Sequence, residues 1–189
     1  MLDKLIGALT IGQSPRPDLV DPLRRFLPDG CQALEVGALD GLSAALIPPI
    51  SEGVYPLTTR LRDGLAVMVE ESFLLPRLQQ ALAHLEAEGA AASILLCAGT
   101  FAGLHGARPF FKPFSVACNE LRARGLKALG LIAPFEEQVA PIRRRWQEAG
   151  FESTVWTADI SRQDEQFRRQ LAAQIETNGL ECIVLDYVG

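Results

Sequence analysis

The chain has 189 residues, enough for a substantial core and one or two small domains, and its 48% apolar and 22% charged content is that of a globular protein. A net charge of −5 without a clustered basic stripe argues against nucleic acid as a partner. No apolar run approaches the ~20 residues needed to span a bilayer, so no membrane partner is expected.

Met1-Leu2-Asp3-Lys4 leads straight into an apolar stretch, so no signal peptide is read there. The four cysteines are scattered and form no CxxC pair, and a cytoplasmic protein with free thiols is the simplest expectation. With two histidines, His84 and His105, a zinc site built on histidine clusters is not expected. The sequence contains no GxGxxG, P-loop, GxSxG or HExxH motif, and no cofactor is implied.

The first element is the apolar run Leu5–Ile11, which reads as a buried strand. It stops at Gly12 and gives way to Gln13-Ser14-Pro15-Arg16-Pro17-Asp18, a polar turn followed by a helix opened by prolines. Open α/β proteins build sites from this strand–loop–helix order. The loop holds an amide (Gln13), a hydroxyl (Ser14) and a guanidinium (Arg16). Ser14 also suits a helix cap, with Pro15 in the first turn. Arg16 opposes the dipole at a helix N-terminus, which asks for an anion: a ligand or a neighbouring carboxylate. Leu19, Leu23 and Phe26 mark one face of this helix.

Cys31–Val36 reads as the second strand. Pro56-Leu57-Thr58-Thr59-Arg60-Leu61-Arg62-Asp63-Gly64 predicts a surface hairpin or loop, with a lid as the functional alternative. Leu74, Leu78, Leu82 and Leu85 recur at helical spacing up to a stop at Gly89. The strand Ser93–Cys97 then opens a second loop, Ala98-Gly99-Thr100-Phe101. Cys97 falls where the strand ends, Gly99 permits close backbone approach by a ligand, and Thr100 adds a hydroxyl beside N–H groups suited to a carboxylate. A thiol there serves as nucleophile or acid/base when its pKa is lowered, or simply fills space, since unpaired cysteine is among the most buried residue types.

Phe101–Ser115, rich in Gly, Pro and Phe, reads as a crossing between lobes, with His105 as a candidate for a role near a cleft. His84 reads as exposed, and Cys31, Cys118 and Cys182 as core filler. Three more strands follow, Ala128–Ala133, Ser153–Trp156 and Cys182–Leu185. Helical segments marked by Val139, Ile142 and Trp146, and by Phe167, Leu171 and Ile175, lie between them and stop at Gly150 and Gly179. Arg143-Arg144-Arg145 reads as a solvated face. Alternating strands and helices predict an α/β protein of two lobes, 1–112 and 113–189, each with a mainly parallel sheet flanked by helices and sharing a ligand cleft. The ending Asp186-Tyr187-Val188-Gly189 falls at a strand tip where a covering helix normally follows. The second lobe therefore reads as truncated, with cover by a second copy in a homodimer as the alternative.

Taken together, Leu-Thr-Ile-Gly-Gln-Ser-Pro-Arg-Pro-Asp (9–18), Pro-Leu-Thr-Thr-Arg-Leu-Arg-Asp-Gly (56–64), Leu-Leu-Cys-Ala-Gly-Thr-Phe (95–101) and Leu-Asp-Tyr-Val-Gly (185–189) resemble the AroM family across essentially the whole chain. That family is similar to the aspartate/glutamate/hydantoin racemase superfamily, which implies two pseudo-symmetric α/β lobes with a site between them. In the racemases a cysteine from each lobe forms an acid/base pair, and the decarboxylases and maleate isomerases vary that pair. By this resemblance Cys97 takes the first-lobe position, and the second falls at or beside Tyr187, a poor base near neutral pH. The resemblance thus implies a small carboxylate or dicarboxylate held by Gln13, Ser14, Gly99 and Thr100, with help from Arg16. It implies single-cysteine isomerisation or decarboxylation at Cys97, with Tyr187 as proton donor or hydrogen-bond partner. The alternative is a non-catalytic binding or regulatory protein that has lost the acid/base pair.

Overall fold

The apolar run after Lys4 forms β1 (Lys4–Thr10), the last four residues of which are buried. In the computed structural model, residues 4–54, 56–158 and 164–188 are described. They divide into two units: the first runs to Phe114 and takes back Val188, and the second is Ser115–Tyr187.

In the first unit, β1 leads to α1 (Pro17–Arg24), β2 (Cys31–Gly37), a hairpin of β3 (Leu57–Arg60) and β4 (Ala66–Val69), α2 (Glu71–Ala87), β5 (Ala92–Leu96) and β6 (Phe110–Phe111). Strands β2-β1-β5-β6 form a parallel sheet in that order, while β3 and β4 pair antiparallel on their own. The near-continuous apolar character of β1 and β5 fits strands inside a covered parallel sheet. On α2, the predicted stripe Leu74, Leu78, Leu82 and Leu85 is fully buried and packs with Leu9, Leu39, Leu95, Phe101 and Leu104 into one core. On α1 only Val20 is buried, and with Leu19 and Leu23 it packs on the opposite group of Ala8 and Leu96. Phe26 departs from the expected face: the helix ends at Arg24, and Phe26 stands 83% exposed beyond it.

The second unit begins within α3 (Pro113–Ala123) and continues through β7 (Ala128–Ala133), α4 (Val139–Glu148), β8 (Glu152–Thr157), α5 (Glu165–Asn178) and β9 (Cys182–Leu185). Its sheet, β8-β7-β9, is parallel throughout. Cys118 and Leu121 of α3 and Ile142 and Trp146 of α4 are buried. The Asp164 carboxylate caps α5 by accepting from the Phe167 N–H at 2.7 Å.

The expectation of a wholly solvated arginine run fails at Arg145. Its guanidinium donates to Asp186 Oδ2 at 2.5 Å, and the same oxygen accepts from the Trp146 indole at 3.0 Å. The Asp186 side chain is only 4% exposed, so its charge needs these partners. Removing one member of a buried pair strands the other, and Asp186→Ala is expected to lower the unfolding free energy by about 3 kcal/mol in urea titrations. An unchanged midpoint would contradict a structural role for the pair.

Candidate functional site

Thr10 of β1 pairs with Gly37 of β2 on one side and with Leu96 of β5 on the other. Three parallel strands therefore end level, and the loops after them leave from one edge of the sheet. Gly12 makes the first loop's path possible. A side chain there would begin 2.5 Å from both the Arg60 carbonyl and the Thr59 hydroxyl, so the hairpin lies flush against the loop.

Gln13 is 9% exposed and fully engaged. Its amide NH2 donates to the carbonyls of Leu39 (2.9 Å) and Leu42 (2.7 Å), and its oxygen accepts from the Arg62 N–H (2.7 Å). Ser14 does not cap the helix; α1 starts at Pro17 without a side-chain cap. The Ser14 N–H and hydroxyl instead donate to the two oxygens of Asp40, each at 2.7 Å. Asp40 also accepts from the Gly37 N–H at 2.8 Å, which closes the second strand-end loop onto the first. The hairpin joins through Arg62, whose Nε donates to the Ser14 carbonyl at 2.8 Å. The predicted hairpin is thus tied to the first loop by side chains and backbone alike.

Arg16 takes the carboxylate alternative. Its guanidinium grips Asp18 with two bonds, Nε at 2.8 Å and a terminal nitrogen at 2.5 Å, while its backbone N–H donates to Glu35 at 2.8 Å. The hydrogen bonds from Arg16 hold the Asp18 carboxyl below the ordinary carboxylate range.

Cys97 follows β5 directly and belongs to the apolar core of the first unit, 9% exposed. The Gly99 N–H points back at its sulfur, 3.4 Å away. A Cβ on Gly99 would lie 2.6 Å from the Phe101 ring, so the ring closes over the loop only because residue 99 has no side chain. Phe101 itself is fully buried at φ 41°, a backbone region that costs a bulky residue about 1–3 kcal/mol and is concentrated at functional sites. Its carbonyl accepts from the Leu104 N–H at 2.9 Å and from Lys112 Nζ at 2.7 Å. Burial lowers the Lys112 ammonium's pKa, and Glu71 opposes that shift. Thr100 is half-buried, and His105 is exposed.

A shallow groove of about 410 Å³ lies beside the first loop, lined by Gln13, Ser43, Leu61, Arg62 and their neighbours; Cys97 is not among its walls. Among the described residues no group of three or more His, Cys, Asp or Glu side chains is gathered closely enough to hold a metal ion. No helix among them is long and apolar enough to cross a membrane.

Tyr187 lies in the second unit, just after β9, and burial raises its phenol's pKa. Burial likewise pushes the Cys118 and Cys182 thiols up. Gln13, Ser14, Cys97, Gly99 and Thr100 therefore share one sheet edge, with Arg16 at the start of α1. Sequence reasoning passed over Asp40 and Lys112. Asp40 had a usable signal, since it follows the end of a predicted strand as Gln13 does. Lys112 had none, because its partner is a carbonyl eleven residues away.

The α/β fold of this chain is similar to that of several solved proteins. A liganded mutant of arylmalonate decarboxylase matches with a TM-score of 0.65 at 16% identity, over 97% of this chain and 77% of that one. The maleate isomerase Iso from Pseudomonas putida matches with a TM-score of 0.60 at 12% identity, over 98% and 79% of the two chains. An aspartate racemase homologue from Pyrococcus horikoshii gives 0.56 at 14% identity, over 97% and 84%. The family model described as AroM protein matches residues 6–189, and the chain belongs to the AroM family. No curated protein sequence matches it significantly.

Two outcomes follow from the loop geometry. Asp40→Ala leaves the Ser14 and Gly37 donors without their acceptor, and costs about 2 kcal/mol, with amide exchange accelerated at residues 12–15 and 37–40. Because the Asp18 carboxyl is depressed in the folded state, its contribution is present above the unfolded-state pKa and lost as pH falls through the folded one. Asp18→Asn should then cost at most about 1 kcal/mol at pH 7, given solvent screening at this half-exposed side chain, and the gap to the parent should close in strong acid. A gap that widens on acidification would reverse the assigned sign.

Proposed function

We propose that this protein binds a small carboxylate or dicarboxylate at the level strand ends of the first unit and transforms it with Cys97 as the reacting group. The observation that carries this reading is the position of Cys97. It ends a parallel strand, opens a glycine-containing loop and receives an N–H on its sulfur, in a fold shared with a decarboxylase, an isomerase and a racemase homologue. An N–H aimed at sulfur is the kind of donor that stabilises a thiolate.

In this reading the Thr100 hydroxyl and amide hold the carboxylate oxygens where Gly99 leaves room for them, while Ser14, whose N–H and hydroxyl both donate to Asp40, shapes the first loop. Gln13 and Arg16 act at one remove: their polar atoms hold the first loop, as their bonds to Leu39, Leu42, Arg62 and Asp18 indicate. For decarboxylation, the bond from the α-carbon to the departing carboxyl carbon breaks. Carbon dioxide leaves, the electron pair stays on the α-carbon, and the Cys97 S–H supplies the proton. For isomerisation of an unsaturated diacid, the Cys97 thiolate adds to one alkene carbon, the resulting single bond rotates, and the thiolate departs. The four free cysteines support a cytoplasmic setting.

One observation favours a second reading, a non-catalytic carboxylate-binding or regulatory protein. The second-lobe cysteine of the racemases has no counterpart at Tyr187, whose basic phenolate form burial makes still scarcer at neutral pH. A panel of arylmalonates, maleate and aspartate, followed by proton NMR in D2O, separates the two. The first reading predicts turnover of one member and a loss of roughly 10³-fold in Cys97→Ser, with the melting temperature retained. Full turnover in Cys97→Ser refutes the assigned role, and saturable binding without turnover of any member establishes the second reading.

A further inference from the structure

Lys112 stands one residue beyond the last β5–β6 pair, Ile94–Phe111. Its Nζ reaches the Phe101 carbonyl at 2.7 Å and lies 5.9 Å from the centre of the Phe110 ring. The Leu104 N–H takes the same carbonyl at 2.9 Å, so both lone pairs of that oxygen are used. Phe101 is the residue that pays backbone strain at the end of the Cys97 loop, at φ 41° and fully buried. A neutral donor is enough to satisfy a carbonyl. A half-buried ammonium gives up hydration to do so, with Glu71 as the acidic group that acts on it electrostatically. What the charge adds is a stronger, charge-assisted bond at the one strained peptide of the loop.

We propose that Lys112 is a positioning residue for the Cys97 loop: by holding the Phe101 carbonyl it fixes the backbone of residues 98–101, and with it the approach of the Gly99 N–H to the Cys97 sulfur. The proposal rests on the reading of Cys97 as the reacting group. Its test is chosen to fail separately from that reading.

The full chain is compared with Lys112→Met and Lys112→Arg by amide hydrogen exchange of the peptide spanning 97–104 and by the pH profile of Cys97 alkylation with iodoacetamide. Lys112→Met should speed exchange of the 99–101 amides at least tenfold and displace the alkylation profile. Lys112→Arg, which keeps a charged donor, should restore both. Unchanged exchange in Lys112→Met overturns the proposal, and so does faster exchange with an alkylation profile that superimposes on the parent's, which makes Lys112 a structural tie only. If Cys97 of the unmodified chain resists alkylation at every pH, the Cys97 reading fails. The positioning role then falls with it, and exchange still separates the two failures: acceleration reversed by Lys112→Arg leaves Lys112 as a structural tie, and no acceleration removes that as well. Should Lys112→Met show no cooperative thermal transition, Lys112→Ala is read in its place by the same criteria.

Discussion

Thr10 is held from both sides, by Gly37 and by Leu96, and this double pairing is the constraint on which the rest of the first unit depends. A parallel strand paired on both edges cannot slip by one residue without exchanging the side chains of its two packed faces, Leu9 in one cluster and Ala8 in the other. The register that buries Ala8 and Leu9 therefore also sets where β1, β2 and β5 end. Once they end level, the loops carrying Gln13 and Ser14, Asp40, and Cys97 to Phe101 emerge from one edge without further specification. Loops at the carboxyl ends of parallel strands are where open α/β proteins place their ligands.

The two sides of that edge are built by different physics. Around Asp40 the loops are joined by polar bonds: two oxygens collect donors from Ser14 and Gly37, and Gln13 stitches the second loop and the hairpin to the first. Such a network is strong when complete and costly when one member is removed. Around Cys97 the setting is apolar, with Leu9, Leu95, Phe101 and Leu104 in the same core, and it includes one strained residue and one half-buried ammonium. A polar cradle beside a dry thiol is a useful division for a site that must hold a carboxylate and act on the carbon next to it.

The strands were legible because β1, β5 and β7 are short, continuous apolar runs, and the helices because Leu74 to Leu85, Ile142 with Trp146, and Phe167 recur at helical spacing before a glycine. The candidate loops were legible for a related reason: polar residues just past a buried strand stand out against it. Partnership was not legible. The Ser14–Asp40 contact spans 26 residues and Arg145–Asp186 spans 41, so neither leaves a local pattern. Arg145 looked like part of a solvated run because its partner lies just past β9, far along the chain, and Ser14 looked like a cap because its acceptor lies beyond a second strand. Phe26 matched the helical spacing of Leu19 and Leu23, but α1 stops at Arg24, before reaching it.

The chain belongs to the AroM family and its fold is similar to that of arylmalonate decarboxylase, and the proposed reading puts Cys97 at the centre of the account. The most direct test is cysteine-by-cysteine alkylation at neutral pH, read by peptide mass spectrometry with and without each small carboxylate. The account predicts that Cys97 labels faster than Cys118 and Cys182, whose thiols burial keeps protonated, and that one acid protects Cys97 alone. A Cys97 that labels no faster than those two, indifferent to every acid, would contradict it and leave the thiol as part of the core.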